Sequence, residues 1–113
     1  GRRATPLSEA WVFARSAGAS TLIGASPNPF NSTAQITYEL AESSVTSLEV
    51  FDILGRRVRT LARQEKQQAG THKLAWDGRD DAGRRLATGT YLIQLRLSGK
   101  NSMRATKRLL LLK

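Results

Sequence analysis

Cysteine is absent from the 113 residues and histidine occurs once, as His72. No disulfide scaffold is therefore possible, and the fold must be held by its apolar core alone, which a chain of this length can supply as one domain. Acidic residues are scarce too: 9 Asp+Glu stand against 18 Lys+Arg, for a net charge of +9 and a pI near 11.1. Such an excess raises nucleic acid, an anionic surface or an acidic partner. The cations, however, are scattered from Arg2 to Lys113 rather than gathered into an arm, which fits a solubilising surface and gives no motif for nucleic acid. Long apolar runs are missing: the leucine run at residues 109–112 falls far short of the roughly 20 residues of a membrane-spanning helix. Residues 1–25 contain no continuous apolar stretch of the kind a secretory signal needs. No segment holds a helical period, and no internal repeat is expected.

What the sequence does contain is strand alternation punctuated by turns. Ile36-Thr37-Tyr38-Glu39-Leu40 alternates with period two. A second strand over 46–53 sets Leu48 and Val50 on one face, with Phe51 pointing the other way, toward a partner or a covering loop. Leu54-Gly55-Arg56 reads as a tight turn. A third strand over 57–62 carries Val58 and Leu61 at opposite parity, which predicts a bulge or an early end. Residues 63–70 read as a polar loop. Strand 71–76 then places His72, Leu74 and Trp76 together, and 77–88 is a loop of Asp, Gly and Arg. Strand 90–97 turns Tyr91, Ile93, Leu95 and Leu97 inward. After a turn at 98–101 the last strand, 103–112, has Ala105, Lys107, Leu109 and Leu111 on one face. Its leucine run reads either as a strand in the middle of a sheet, buried on both faces, or as an end that is itself recognised. Toward the N-terminus, Trp11-Val12-Phe13 and Thr21-Leu22-Ile23 are short strand candidates around a small-residue stretch at 16–20. Residues 1–20 are expected to be a linker or extension with one edge strand at most, and 21–113 the domain. Six clear strands, with one or two more toward the N-terminus, make the fold class all-β and argue for a two-sheet antiparallel sandwich.

Catalysis finds little support. No serine lies in a nucleophile elbow, and His72 shares parity with core residues, so it flanks the core rather than acting as base or ligand. Asp77, Asp80 and Asp81 were the one set to weigh as calcium ligands. EF-hand spacing is missing, since Arg79 stands where a ligand belongs and Thr88 where the closing glutamate belongs, and Arg84 and Arg85 compete as counter-charges. Turn-forming aspartates paired with arginine explain the loop better. No cofactor is expected. Of the aromatics Trp11, Phe13, Phe30, Tyr38, Phe51, Trp76 and Tyr91, most alternate with aliphatics as core residues do. That leaves Phe51 and Trp11 as material for a sugar-binding face, the alternative function together with a calcium-stabilised spacer of a secreted hydrolase.

Several spaced motifs occur in a familiar order: Pro27-Asn28-Pro29-Phe30-Asn31; the stretch from Leu48 through Asp52 and Gly55 to Val58; Trp76-Asp77-Gly78 with Asp80 and Gly83; Gly89-Thr90-Tyr91; and Lys107, Arg108, Leu109, Leu110, Leu111, Leu112 and Lys113. Together they resemble the C-terminal sorting domain of the type IX (Por) secretion system, and the related immunoglobulin-like domain of flagellar hook-capping proteins, over residues 26–113. The resemblance implies an antiparallel, immunoglobulin-like β-sandwich of about seven strands, acting as a non-catalytic tag at the end of an exported cargo protein, monomeric, read by an outer-membrane translocon and its sorting machinery. It implies passage through the periplasm to the cell surface or medium. The marked residues would be Pro27, Asn28 and Pro29, Gly89 and Tyr91, and Lys107 through Lys113. Ser26 departs from the pattern where an aromatic is frequent, and Ser32 where proline is.

Overall fold

A computed structural model describes residues 20–99 and 102–112. Seven strands follow one another without a helix among the described residues: β1 (Thr21–Ser26), β2 (Ala34–Leu40), β3 (Ser44–Asp52), β4 (Arg57–Gln67), β5 (Gly70–Trp76), β6 (Gly89–Ser98) and β7 (Met103–Leu111). All pair antiparallel, in a three-stranded sheet ordered β1-β2-β5 and a four-stranded sheet ordered β4-β3-β6-β7. This is the two-sheet antiparallel sandwich that the alternation predicts, in the seven-stranded immunoglobulin-like form that the resemblance implies.

The core lies between the sheets because side chains on a strand alternate faces. From β2 come Ala34, Ile36, Tyr38 and Leu40; from β6 come Tyr91, Ile93, Leu95 and Leu97; Leu22, Phe30, Leu48, Val50, Ala62, Trp76, Leu109 and Leu111 join them. His72 stacks on Tyr38, with ring centroids 5.4 Å apart, and donates Nε2–H to the Gln68 carbonyl at 2.7 Å in the tautomer that carries that proton. It flanks the core, as its parity suggested.

Two expectations need correction. The polar stretch expected as a loop from residue 63 is instead the second half of β4, where Glu65, Lys66 and Gln67 pair with Thr46, Val45 and Ser44. An edge ribbon exposed on both faces needs no apolar alternation, because its ladder hydrogen bonds hold it. The expected irregularity is present as register shifts around Leu48, where Gln64 takes a φ of 46° and donates its N–H to Ser47 Oγ. It does not end the strand early. Next, β7 is an edge strand, not a central one: Leu109 and Leu111 are buried, Leu110 is half-buried and Lys107 is exposed. Phe51 stands on the face of β3 opposite to Leu48 and Val50, as its parity suggested, and is half-buried there. The strand candidate at 11–13 and residues 1–19 generally lie outside the described residues, as do Lys100, Asn101 and Lys113.

Candidate functional site

The register places the ends of six strands at one pole of the sandwich. Ser26 pairs with Gln35, Ala34 with Trp76, Asp52 with Tyr91, Tyr91 with Leu109, and Gly89 with Leu111. Sequence segments up to about 80 positions apart therefore meet there, and the chain enters β1 at Thr21 from the opposite pole.

The Pro27–Phe30 segment leaves the three-stranded sheet after Ser26 and runs along the outer edge of β7. Prolines fix their own φ and lack an N–H, so the segment cannot continue a ladder by itself. Asn28 supplies the missing groups: its Nδ2–H donates to the Arg108 carbonyl at 3.3 Å, and its Oδ1 accepts the Leu110 N–H at 3.0 Å. Phe30 takes over with its own backbone, donating to Leu110 O at 2.9 Å and accepting from Leu112 N at 2.8 Å, as a parallel bridge to Leu111. Side chain and backbone together latch the end of β7, which would otherwise present unpaired edge groups. Pro27 and Pro29 are exposed beside this latch.

Beneath it, one aromatic from each of three motifs forms a cluster. Phe30 packs on Trp76 at 5.4 Å between centroids, and Trp76 meets Tyr91 edge-on at 5.5 Å, spacings at which ring pairs attract. The polar tips are satisfied: Trp76 Nε1 donates to Arg79 O at 2.9 Å, and Tyr91 Oη donates to Ala87 O at 2.6 Å. Gly78, at φ +75°, passes under Leu111 and Phe30, where an added Cβ would stand 3.4 Å from Leu111 Cδ1. Burial holds the Tyr91 hydroxyl above the ordinary tyrosine pKa, with the nearby Asp52 carboxylate adding to the effect. The marked residues thus divide. Tyr91, Leu109 and Leu111 belong to the core, Asn28 and Leu110 to the latch. Pro27, Pro29, Lys107, Arg108 and Leu112 are exposed, and Gly89 is half-buried at the start of β6.

The aspartates weighed for calcium are spread over separate tasks. Asp77 Oδ1 accepts from Arg59 and from the Arg79 N–H, each at 3.1 Å, and Asp81 Oδ1 accepts the Thr60 N–H at 3.0 Å. Asp80 closes its own turn. No group of three metal-capable side chains converges among the described residues. Glu49, buried on β3, is clamped by Arg57 and Arg96 at 3.1 Å each, which satisfies its charge.

A local repeat was missed in the sequence. Residues 52–57 and 80–85 both read Asp-x-x-Gly-Arg-Arg. In the first, Asp52 Oδ1 accepts from Leu54 N and Arg56 N, Oδ2 accepts from Arg56 Nε at 2.8 Å, and the Asp52 and Arg56 backbones bond each other. Asp80 does the same with Ala82 and Arg84, with the Nε contact at 3.1 Å. The left-handed position of each turn is glycine, Gly55 at +86° and Gly83 at +85°. The hydrogen bond from the following arginine's N–H, first of all, holds each carboxyl below the usual aspartate range. The signal was available as a six-residue pattern, but strand punctuation absorbed each glycine separately.

Residues 25–101 match the family of FlgD Ig-like domains. No curated protein sequence matches the chain. Among solved structures, latent dimeric PorU from Porphyromonas gingivalis superposes with a TM-score of 0.68 at 20% identity, over 82% of this chain and 9% of that one. FlgD from P. aeruginosa gives 0.58 at 26% identity, over 69% of this chain and 61% of that one. PorZ, an essential surface component of the type-IX secretion system of Porphyromonas gingivalis, gives 0.54 at 18% identity, over 79% and 11%. The chain thus corresponds to a small part of PorU and PorZ and to less than two thirds of FlgD.

Proposed function

The chain belongs to the FlgD Ig-like domain family, and from that premise we propose that it is a non-catalytic sorting and anchoring domain, carried at the C-terminal end of an exported protein and read by a type IX secretion translocon. Residues 21–113 are the domain and 1–20 the connection to the cargo. The observation that carries this reading is the convergence of Pro27, Asn28, Pro29, Gly89 and β7 at one pole, with the chain entering at the other. A cargo joined at the entry pole leaves the motif pole open to a receptor. Exposed Lys107 and Arg108 offer charge attraction there, and the outer edge of β7 before the latch offers backbone pairing. That PorZ, a structural neighbour, serves a type-IX system is in keeping with this role. A second reading is favoured by the family itself and by FlgD at 26% identity: an assembly domain of a flagellar hook-capping protein. A sugar-binding face has less behind it, since among the described residues the large exposed apolar side chains, Ile23, Ile53, Leu54 and Leu112, are all aliphatic.

The test is a reporter fused ahead of residues 20–113 in a bacterium with a type IX system. Deleting Lys107 to Lys113 is a poor variant, because it removes Leu109 and Leu111 from the core. Substituting the exposed Lys107→Gln, Arg108→Gln and Leu112→Ser together keeps the core. The unmodified fusion is expected at the surface or in the medium, and the triple variant, folded by circular dichroism, in the periplasm. Retention of both fusions overturns the sorting role; export of both overturns reading at β7.

A further inference from the structure

Between the twin loops a groove of about 690 Å³ opens, distinct from the latch and from the outer edge of β7. Its walls include Ile53, Leu54, Val58, Ala82, Leu86 and Ala87, with Arg56 and Arg84 at the two loops. Ile53 is 71% and Leu54 75% exposed, two adjacent aliphatic side chains in water at the tip of a hairpin. Side chains of this size singly at a surface need no explanation, but a contiguous apolar lining does.

The loops also present charge in a particular way. The Asp52 and Asp80 carboxylates are turned inward, with side chains 16% and 15% exposed, while the Arg56 and Arg84 side chains are 74% and 80% exposed; Asp81, also in the lining and 55% exposed, is engaged by Arg59 and the Thr60 N–H. Each pair is joined through Nε, so the arginine is oriented by its own loop while most of its guanidinium lies in solvent. A guanidinium keeps a two-pronged set of N–H donors on its terminal nitrogens, matched to a carboxylate. A partner approaching the groove meets two oriented cations and an apolar floor, on a chain of net charge +9.

We propose that this groove is a docking site for an extended protein segment in which aliphatic side chains are flanked by carboxylates. The aliphatic groups cover Ile53, Leu54 and Leu86, and the carboxylates engage Arg56 and Arg84. A bilayer would engage only the protruding tip, whereas the apolar lining continues inward to Val58 and Ala87, where a single extended chain reaches. This site goes beyond the sorting role and does not depend on it, because the binding is measured on the chain itself.

The experiment uses the 113-residue chain and a fluorescein-labelled peptide with two leucines set between glutamates, followed by fluorescence anisotropy. A peptide with lysine in place of glutamate, one with serine in place of leucine, and phosphatidylglycerol vesicles are the comparisons. The glutamate–leucine peptide is expected to bind, more weakly as ionic strength rises. Arg56→Gln with Arg84→Gln is expected to weaken it by about tenfold or more, and Ile53→Ser with Leu54→Ser likewise. Arg63→Gln with Lys66→Gln, the same loss of charge on exposed β4, is expected to leave it unchanged. All substituted side chains are exposed, and unchanged melting temperatures confirm folding. No binding up to about 1 mM peptide, equal weakening by the β4 pair, equal binding of the serine peptide, or binding of vesicles in preference to the peptide would each overturn the proposal.

Discussion

Replacing Asn28 should loosen β7 more than an exposed side chain ordinarily allows. The Asn28 carboxamide makes two hydrogen bonds to β7, to Arg108 O at 3.3 Å and from Leu110 N at 3.0 Å. Asn28→Ala removes both. Water reaches the exposed site, so neither backbone group is left dry, and each lost bond costs its net value of about 0.5–1.5 kcal/mol. The sum, about 1–3 kcal/mol, corresponds to a fall in Tm of roughly 4–20 °C for a domain of this size. Asn28→Asp separates the two bonds. It keeps the acceptor for Leu110 but turns an anionic oxygen toward the Arg108 carbonyl. At neutral pH it should be no more stable than Asn28→Ala, and it should recover relative to the wild type as pH falls below about 4, where the protonated carboxyl can donate.

Amide hydrogen exchange locates the effect. Leu110 N–H is held by Asn28 and Leu112 N–H by Phe30, so exchange should accelerate at Leu110 first, then at Leu112 as the bridge loosens. Ile93, in the middle of β6, should exchange as before. A melting temperature for Asn28→Ala within about 1 °C of wild type, together with unchanged exchange at Leu110, would refute the latch as a stabilising device.

Gly78→Ala should cost about 1–3 kcal/mol in chemical denaturation, because φ +75° is strained for alanine and the new methyl meets Leu111 at 3.4 Å; an unchanged midpoint would show that the backbone shifts there freely. Asp52 and Asp80 have folded pKa values below the ordinary aspartate range, so the stability they add is present above about pH 4 and is lost as pH falls through their folded values; Asp52→Asn with Asp80→Asn should flatten the acid limb of a Tm–pH curve. At the other end, burial raises the hydroxyls of Tyr38 and Tyr91, so stability holds below about pH 10 and falls above it, and Tyr38→Phe should soften that fall. Calcium at about 1 mM, the range of extracellular calcium modules, should leave the melting temperature where a chelator leaves it, since arginine and backbone N–H groups already occupy Asp77, Asp80 and Asp81; a rise would restore the calcium-stabilised spacer.

What was legible in the sequence follows from what a strand writes locally. β2 and β6 each carry one buried face, so their alternation names both the strand and its inward residues. Gly55 names its turn because only glycine tolerates that φ without strain. The second half of β4 was illegible for the same reason: Arg63 to Lys66 bury nothing, and a ladder of backbone bonds leaves no mark on side-chain pattern. The latch was illegible in another way. Pro27-Asn28-Pro29 announces a break, but nothing local says that its hydrogen-bonding partner lies about 80 residues further on. The edge position of β7 was obscured by Leu109 to Leu112, whose leucines resemble a strand buried on both faces. Leu109 and Leu111 do fill the core, Leu110 is covered only in part, and Leu112 emerges beyond the strand.

Under the proposed sorting role, this division bears on which residues a receptor would touch. A pattern of marked residues invites the idea that the receptor touches all of them, yet Tyr91, Leu109 and Leu111 are core and accessible only if the sandwich opens. Opening β7 would break the Asn28 and Phe30 bonds and uncover the Phe30–Trp76–Tyr91 cluster, at the cost of much of the apolar burial at that pole. Among the described marked residues, a receptor of the folded domain is therefore limited to Pro27, Asn28, Pro29, Lys107, Arg108 and Leu112, with the half-buried Gly89 and Leu110 reachable in part. On that reading, substitutions at buried marked positions impair export only as far as they unfold the domain, while those at the exposed positions impair it with the fold intact. Plotting export against melting temperature separates the two groups. Leu109→Val and Tyr91→Phe should fall on one line with other core variants, and Arg108→Gln and Leu112→Ser well below it. If all variants share one line, stability alone governs export, and the pole is a structural closure rather than a surface that is read.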